Sequence, residues 1–229
     1  PKLTKLEQER IIKSMWTNYG KIFAEYPFIK KYRRSKNDNN IIIENQEYLD
    51  KIRNDKDPVI FISGHFNNFE LMAMSIENYG IDLAAIYRPL NNIFLNPLME
   101  KLRKKYICKN QIKKGISGTK ELLRHFKNGS SIALMIDQRV SQGIGCNLFG
   151  TKALTTTIPA QFSKKYNAKI VPVHIMRTKT NSFKLSVYKP LEFNNSETIS
   201  SITLKLNKIL EEMILINPDQ WIWTHNRWK

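Results

Sequence analysis

The chain has 229 residues, 41% of them hydrophobic, enough for one domain with a buried core and too apolar for a disordered chain. Lys and Arg number 37 against 20 Asp and Glu, a formal net charge of +17, which favours anionic partners: phosphates, nucleic acid, an acidic carrier protein or an anionic membrane surface. Cys108 and Cys146 lack metal-type spacing and form no disulfide framework, and no run of about 18 apolar residues is present to span a membrane.

Residues 4–26 predict a helix, because Leu6, Ile11, Ile12, Met15, Trp16, Tyr19, Ile22 and Phe23 recur at spacings of three and four until Pro27. A basic, then polar, connection is expected over 30–40, a short strand over 41–44 and a helix over 46–54. Residues 59–63 form a continuous apolar run after Pro58, as a buried parallel strand does, and a helix is expected over 67–78. Further strands are expected over 82–87 and 131–136, with helices over 97–106 and 117–126 between them. Residues 140–157 read as a Gly- and Thr-containing loop, 158–166 as a helix, 169–176 and 183–187 as strands, and 200–216 as a long helix. The tail, 221–229, mixes Trp with His, Arg and Lys and is expected to pack partly on the core. Strands alternating with helices predict a single α/β domain over 1–229, with a mainly parallel central sheet flanked by helices and antiparallel pairing at an edge from the last strands.

The chemistry-bearing residues cluster where predicted strands end. His65 follows Gly64 directly after the first apolar strand, and Glu70 comes five positions later. A His there is a candidate general base, with Glu70 as its orienting carboxylate if the His sits on the turn and the Glu faces back from the helix. Arg88 follows the strand over 82–87, in Tyr87–Arg88–Pro89–Leu90–Asn91, and is a candidate for binding a phosphate or stabilising an oxyanion. Asp137–Gln138–Arg139 follows the strand over 131–136. Asp137 can orient His65, hold Arg88 or bind substrate, and spacing does not choose among these. Parallel strands ending in His, Arg and Asp open on one edge, where such sheets bind ligands. Lys152, beside Thr155, Thr156 and Thr157, adds charge ahead of a predicted helix start that can hold an anion. There is no GxSxG elbow, phosphate loop, dinucleotide fingerprint or zinc-ligand cluster.

An ordered set of motifs runs nearly end to end: Ala24–Glu25–Tyr26–Pro27, Gly64–His65 with Glu70, Tyr87–Arg88–Pro89 with Asn91, Asp137–Gln138, Phe149–Gly150 with Thr155–Thr156–Thr157, Val171–Pro172, and the tail from Pro218 to Lys229. With these the chain resembles the lipid A biosynthesis acyltransferases, the late lauroyl/myristoyl-type enzymes of Gram-negative bacteria, within a superfamily that includes the glycerolipid acyltransferases. The resemblance implies a glycerolipid-acyltransferase-like fold and an enzyme that moves a fatty acyl group from acyl carrier protein to a hydroxyl of a lipid A precursor. In it, His65 is the base, Glu70 its partner and Arg88 the phosphate or oxyanion group. Asn91, Asp137, Gln138, Arg139 and Lys152 are expected to bind substrate. It implies no cofactor and no metal, acyl-acyl carrier protein being the donor substrate, and partners in acyl carrier protein, a phosphorylated glycolipid acceptor and an anionic membrane surface, with no nucleic acid. It further implies a position on the cytoplasmic face of the bacterial inner membrane, peripheral or held by a hydrophobic anchor upstream of Pro1. The loop after Asp137, with Arg139, Val140 and Ser141, departs from the more acidic or aromatic pattern of many members. Rival readings are a glycerolipid acyltransferase, a lipid-binding protein without activity and, from the net charge alone, a nucleic-acid-binding module.

Overall fold

The computed structural model describes residues 3–34, 40–179 and 181–228. Helix α1 (Lys5–Glu25) starts where the sequence supplies a reciprocal cap: the Thr4 side chain accepts from the Glu7 amide, and the Glu7 carboxylate accepts from the Thr4 amide at 2.8 Å. Pro27 does not end the helical path. It lies in a single 3-10 turn (Tyr26–Phe28) that leads into α2 (Ile29–Arg34), so the start of the expected connection is helical; residues 35–39 of it lie outside the described residues. Strand β1 (Ile41–Glu44) and helix α3 (Glu47–Asp55) follow closely as expected.

The centre of the fold is β2 (Ile60–Ser63), whose Ile60, Phe61 and Ile62 are almost wholly buried. Burying each such side chain contributes about 1.5–3 kcal/mol, which is why this run is apolar on both faces. Beyond it come α4 (Glu70–Asn78), β3 (Leu83–Tyr87), α5 (Leu95–Leu102), a π-helical turn (Arg103–Ile107), β4 (Asn110–Lys113), α6 (Ile116–Lys127) and β5 (Ser131–Met135). Helix α4 begins at Glu70 rather than Asn67, because Asn67 is in the left-handed region at φ 39° and turns the chain before the helix starts. Strand β4 was not expected: Asn110, Gln111 and Lys113 leave only Ile112 buried, an edge strand with no apolar run to mark it.

The expected loop over 140–157 is instead a hairpin, β6 (Ile144–Leu148) paired antiparallel with β7 (Thr151–Thr155). Its turn residues Phe149 and Gly150 have φ of 51° and 74°, the positive values that a two-residue hairpin turn uses. Helix α7 (Ile158–Tyr166), strands β8 (Ile170–Lys179) and β9 (Ser182–Val187) and helix α8 (Ile199–Ile216) complete the order, and a 3-10 turn (Pro218–Gln220) leads to the tail.

The main sheet has the order β1-β9-β8-β2-β5-β3-β4. Strands β8, β2, β5, β3 and β4 run parallel, and β9 turns back antiparallel on β8 with β1 parallel to β9. This is the mixed α/β, mainly parallel architecture the sequence predicts. Arg227 is fully buried and donates to the Leu154 carbonyl and the Thr155 hydroxyl, both at 2.6 Å, so the tail holds the hairpin against the body. Buried Asn207 of α8 reaches the same hairpin through the Asn147 carbonyl at 3.0 Å. No described helix is long and apolar enough to cross a membrane.

Candidate active site

Strands β2 and β5 are parallel neighbours in register, Ser63 opposite Met135. Side chains alternate along a strand with a period of two, so two residues further on His65 and Asp137 come out side by side beyond the strand ends. The Ile136 amide still donates to the Ser63 carbonyl at 2.9 Å, which carries the pairing past the last ladder pair. Gly64 gives the chain room to turn there. A Cβ on it would stand 2.9 Å from the Phe66 ring and 3.1 Å from Leu210.

Asp137 therefore orients His65. Its Oδ1 lies 2.7 Å from His65 Nδ1, and its Oδ2 accepts from the His65 amide at 2.7 Å and from Trp221 Nε1 at 2.9 Å. Burial alone would push the Asp137 carboxyl up, but the His65 ring beside it and the donors on it hold it below the usual carboxylate value. Burial likewise opposes charge on His65, and Asp137 outweighs it, so the His65 pKa is raised. With Nδ1–H committed to Asp137, Nε2 is the free basic nitrogen, and the ring is pinned edge-on to Phe69 at 4.7 Å between centroids.

Among the described residues Glu70 makes no hydrogen bond to His65, although its charge adds to that of Asp137 in raising the His65 pKa. After the left-handed turn at Asn67, the first turn of α4 sets the Glu70 carboxylate on Tyr26 and Arg103, where it accepts from the Tyr26 hydroxyl and from Arg103 Nε at 2.8 Å. Burial opposes the Arg103 charge, yet Glu70 holds its pKa above the ordinary value; burial and Glu70 together push the Tyr26 phenol up. Arg103 sits where α5 passes into the π-helical turn, still in helical conformation with its amide donating to the Met99 carbonyl.

His65, Asp137, Arg88, Asn91, Gln138 and Arg103 line one cavity of about 430 Å³, walled on one side by Tyr19, Ile22, Phe23 and Tyr26 and closed below by Ile222, Thr224 and His225. That size suits a small-molecule site. Arg88 is exposed at its mouth and, among the described residues, has no hydrogen bond or ion pair. Arg139 does not line the cavity; its amide donates to His225 Nε2 at 2.8 Å, and burial lowers the His225 pKa, which suits a neutral acceptor. Lys152 is not brought to the site at all. It is exposed on β7, where its side chain covers Gly145 of the paired strand.

Arg103, Tyr26, Thr224 and His225 are site residues that sequence reasoning did not select. Tyr26 and His225 stood inside motifs that carried the family resemblance. Arg103 sat among Lys101, Lys104 and Lys105, and nothing in that basic run distinguishes it. Among the described residues no group of three or more His, Cys, Asp or Glu is gathered so as to hold a metal ion.

The structure is similar in fold to the crystal structure of 1-acyl-sn-glycerophosphate (LPA) acyltransferase, PlsC, from Thermotoga maritima, with a TM-score of 0.51 and 12% identity over 93% of this chain and 98% of that one. In sequence the chain is 26% identical over 192 residues to a lipid A biosynthesis acyltransferase of Haemophilus influenzae. The alignment takes in 82% of this chain and 60% of that protein, so the chain spans less than two thirds of its relative's length. The family model for bacterial lipid A biosynthesis acyltransferases matches residues 1–229, and the chain belongs to that family.

Proposed function

We propose that this chain transfers a fatty acyl group from acyl carrier protein to a hydroxyl of a lipid A precursor, with His65 as general base and Asp137 as the carboxylate that orients it. The observation that carries the reading is the 2.7 Å contact of Asp137 with His65 Nδ1 at the carboxyl ends of adjacent parallel strands, inside the cavity. In this reading Nε2 takes the proton of the acceptor hydroxyl, the oxygen attacks the thioester carbonyl, the C–O bond forms as the C–S bond breaks, and the imidazolium returns the proton to the leaving thiolate. Asp137 stabilises the imidazolium in between.

Arg88, uncommitted at the mouth, suits a phosphate of the acceptor or the developing oxyanion. Glu70 has a different task from the one the resemblance implied: it fixes Arg103 and Tyr26 in the cavity wall. The thioester already activates the acyl group, so the proposed reaction calls on no cofactor. The family membership and the net charge of +17 support acidic and phosphorylated partners and a peripheral position on the cytoplasmic face of the inner membrane.

The test is acyl transfer from lauroyl- or myristoyl-carrier protein to a tetra-acylated lipid A precursor, run beside a lysophosphatidate acceptor. Transfer to the first acceptor alone supports the proposal. Transfer to lysophosphatidate alone replaces the acceptor, and no transfer to either by the folded chain removes the acyl-transfer reading.

A further inference from the structure

The segment that runs from the end of β3 into α5 carries a cluster of outward-facing apolar residues beside the cavity. Ile93, Phe94, Leu95 and Leu98 are 75%, 84%, 52% and 53% exposed. Four exposed large apolar side chains within six residues are not an ordinary surface, where such residues are scattered singly.

Four backbone amides in this segment are satisfied from within. Asn92 Oδ1 accepts from the amides of Phe94 and Leu95, both at 3.0 Å, Asn96 Oδ1 accepts from the Leu90 amide at 2.8 Å, and the Asn96 amide donates to the Asn92 carbonyl at 3.0 Å. A tip built this way presents side-chain carbon outward while the amides of Leu90, Phe94, Leu95 and Asn96 already have partners. Those four amides lose no hydrogen bond to water on entering an apolar medium, which lowers the cost of insertion.

The neighbouring chemistry names the medium. Leu90, Asn91 and Met99, which flank the tip, line the cavity, so the tip stands at its mouth. Phe23 lines the opposite wall from α1 and is itself half exposed, as is Trp16 two turns before it. Lys101, Lys104 and Lys105 are exposed on the turns that follow Leu98. An apolar tip followed by lysines matches a surface with apolar depth and negative charge, which is an anionic lipid bilayer.

We infer that the Ile93–Leu98 tip inserts into an anionic lipid surface and seats the cavity mouth on it. The inference deepens the acyl-transfer reading by naming the face that meets the lipid, and it is tested separately from that reading.

The full chain is sedimented with phosphatidylcholine vesicles with and without phosphatidylglycerol, as wild type, Ile93→Ser/Phe94→Ser and Lys101→Gln/Lys104→Gln. All the changed side chains are exposed, so thermal stability serves as the folding control. Wild type is expected to bind the anionic vesicles. Ile93→Ser/Phe94→Ser loses about tenfold or more in affinity. Lys101→Gln/Lys104→Gln loses about tenfold on anionic vesicles at low salt and nothing on neutral ones.

Wild-type protein that does not bind anionic vesicles, or binding unchanged in Ile93→Ser/Phe94→Ser, overturns the inference. So does a lipid-free dimer that the Ser variant abolishes while vesicle binding stays, since a second copy would then cover the tip. Transfer to detergent-dispersed acceptor separates the two readings. Vesicle binding without transfer keeps the tip and removes the enzyme reading, whereas transfer without vesicle binding does the reverse.

Discussion

The His65–Asp137 pair sets the pH behaviour of the site. Asp137 raises the His65 pKa, so the base form is lost at a higher pH than for a free imidazole of 6.5, and the acidic limb of the kcat/KM profile should lie above that value. Asp137→Asn removes both the charge and the correct acceptor. The variant should lose roughly 10²–10⁴-fold in kcat, and its residual acidic limb should move to lower pH. A limb that does not move would mean that Asp137 does not touch the titrating group. The same pairing contributes stability below the ordinary His value that is lost as pH rises through the raised His65 pKa; the depressed Asp137 contributes stability above its ordinary value of 3.8 that is lost as pH falls through its folded pKa. Arg88 is expected to act on binding. Arg88→Ala should raise KM for a phosphorylated acceptor by about tenfold or more, the worth of a charge-assisted hydrogen bond, and should spare a dephosphorylated one. An equal effect on both acceptors would favour the oxyanion role instead.

At the scale of elements, the site is a product of strand register and of the segments packed around the strand ends. The run from Val59 to Ser63 announces a buried strand, and the residues that follow each strand announce the chemistry, so His65, Arg88 and Asp137 were legible as one edge of a parallel sheet. The partner of His65 was not legible. Choosing between Glu70 and Asp137 needs the Ser63–Met135 register, which no local pattern encodes, and the φ of Asn67, which decides where α4 begins. The β6–β7 hairpin is hidden for a related reason: of its buried residues Cys146, Leu148, Ala153 and Thr155 only Leu148 is large and apolar, and the partners they pack with, α8 and Arg227, are distant in sequence. Helix α1 is tied to the sheet by a buried ion pair, Glu25 to Arg177 at 2.6 Å, with Asn68 Nδ2 donating to the same carboxylate at 2.7 Å. Glu25→Leu should cost about 3–5 kcal/mol in urea unfolding because it removes the buried carboxylate that faces the Arg177 charge and accepts from Asn68, and Glu25→Leu/Arg177→Met should recover much of that loss. No recovery in the double variant would mean that the pair is not coupled in this way.

For the molecule as a whole, the distribution of roles matters more than the net charge. The +17 excess pointed to anionic partners without saying where they bind. The structure leaves Arg88 uncommitted at the cavity mouth, Arg103 tied to Glu70 inside it, and Lys152 on a distant hairpin. One α/β body thus carries a base with its orienting carboxylate at the strand ends, an apolar wall from α1 and an apolar tip at the mouth. The most direct test of this account is acyl transfer from a lauroyl- or myristoyl-carrier protein to a tetra-acylated lipid A precursor, comparing wild type with His65→Ala. The account predicts product with wild type and near-complete loss with His65→Ala. Transfer that survives His65→Ala would contradict it.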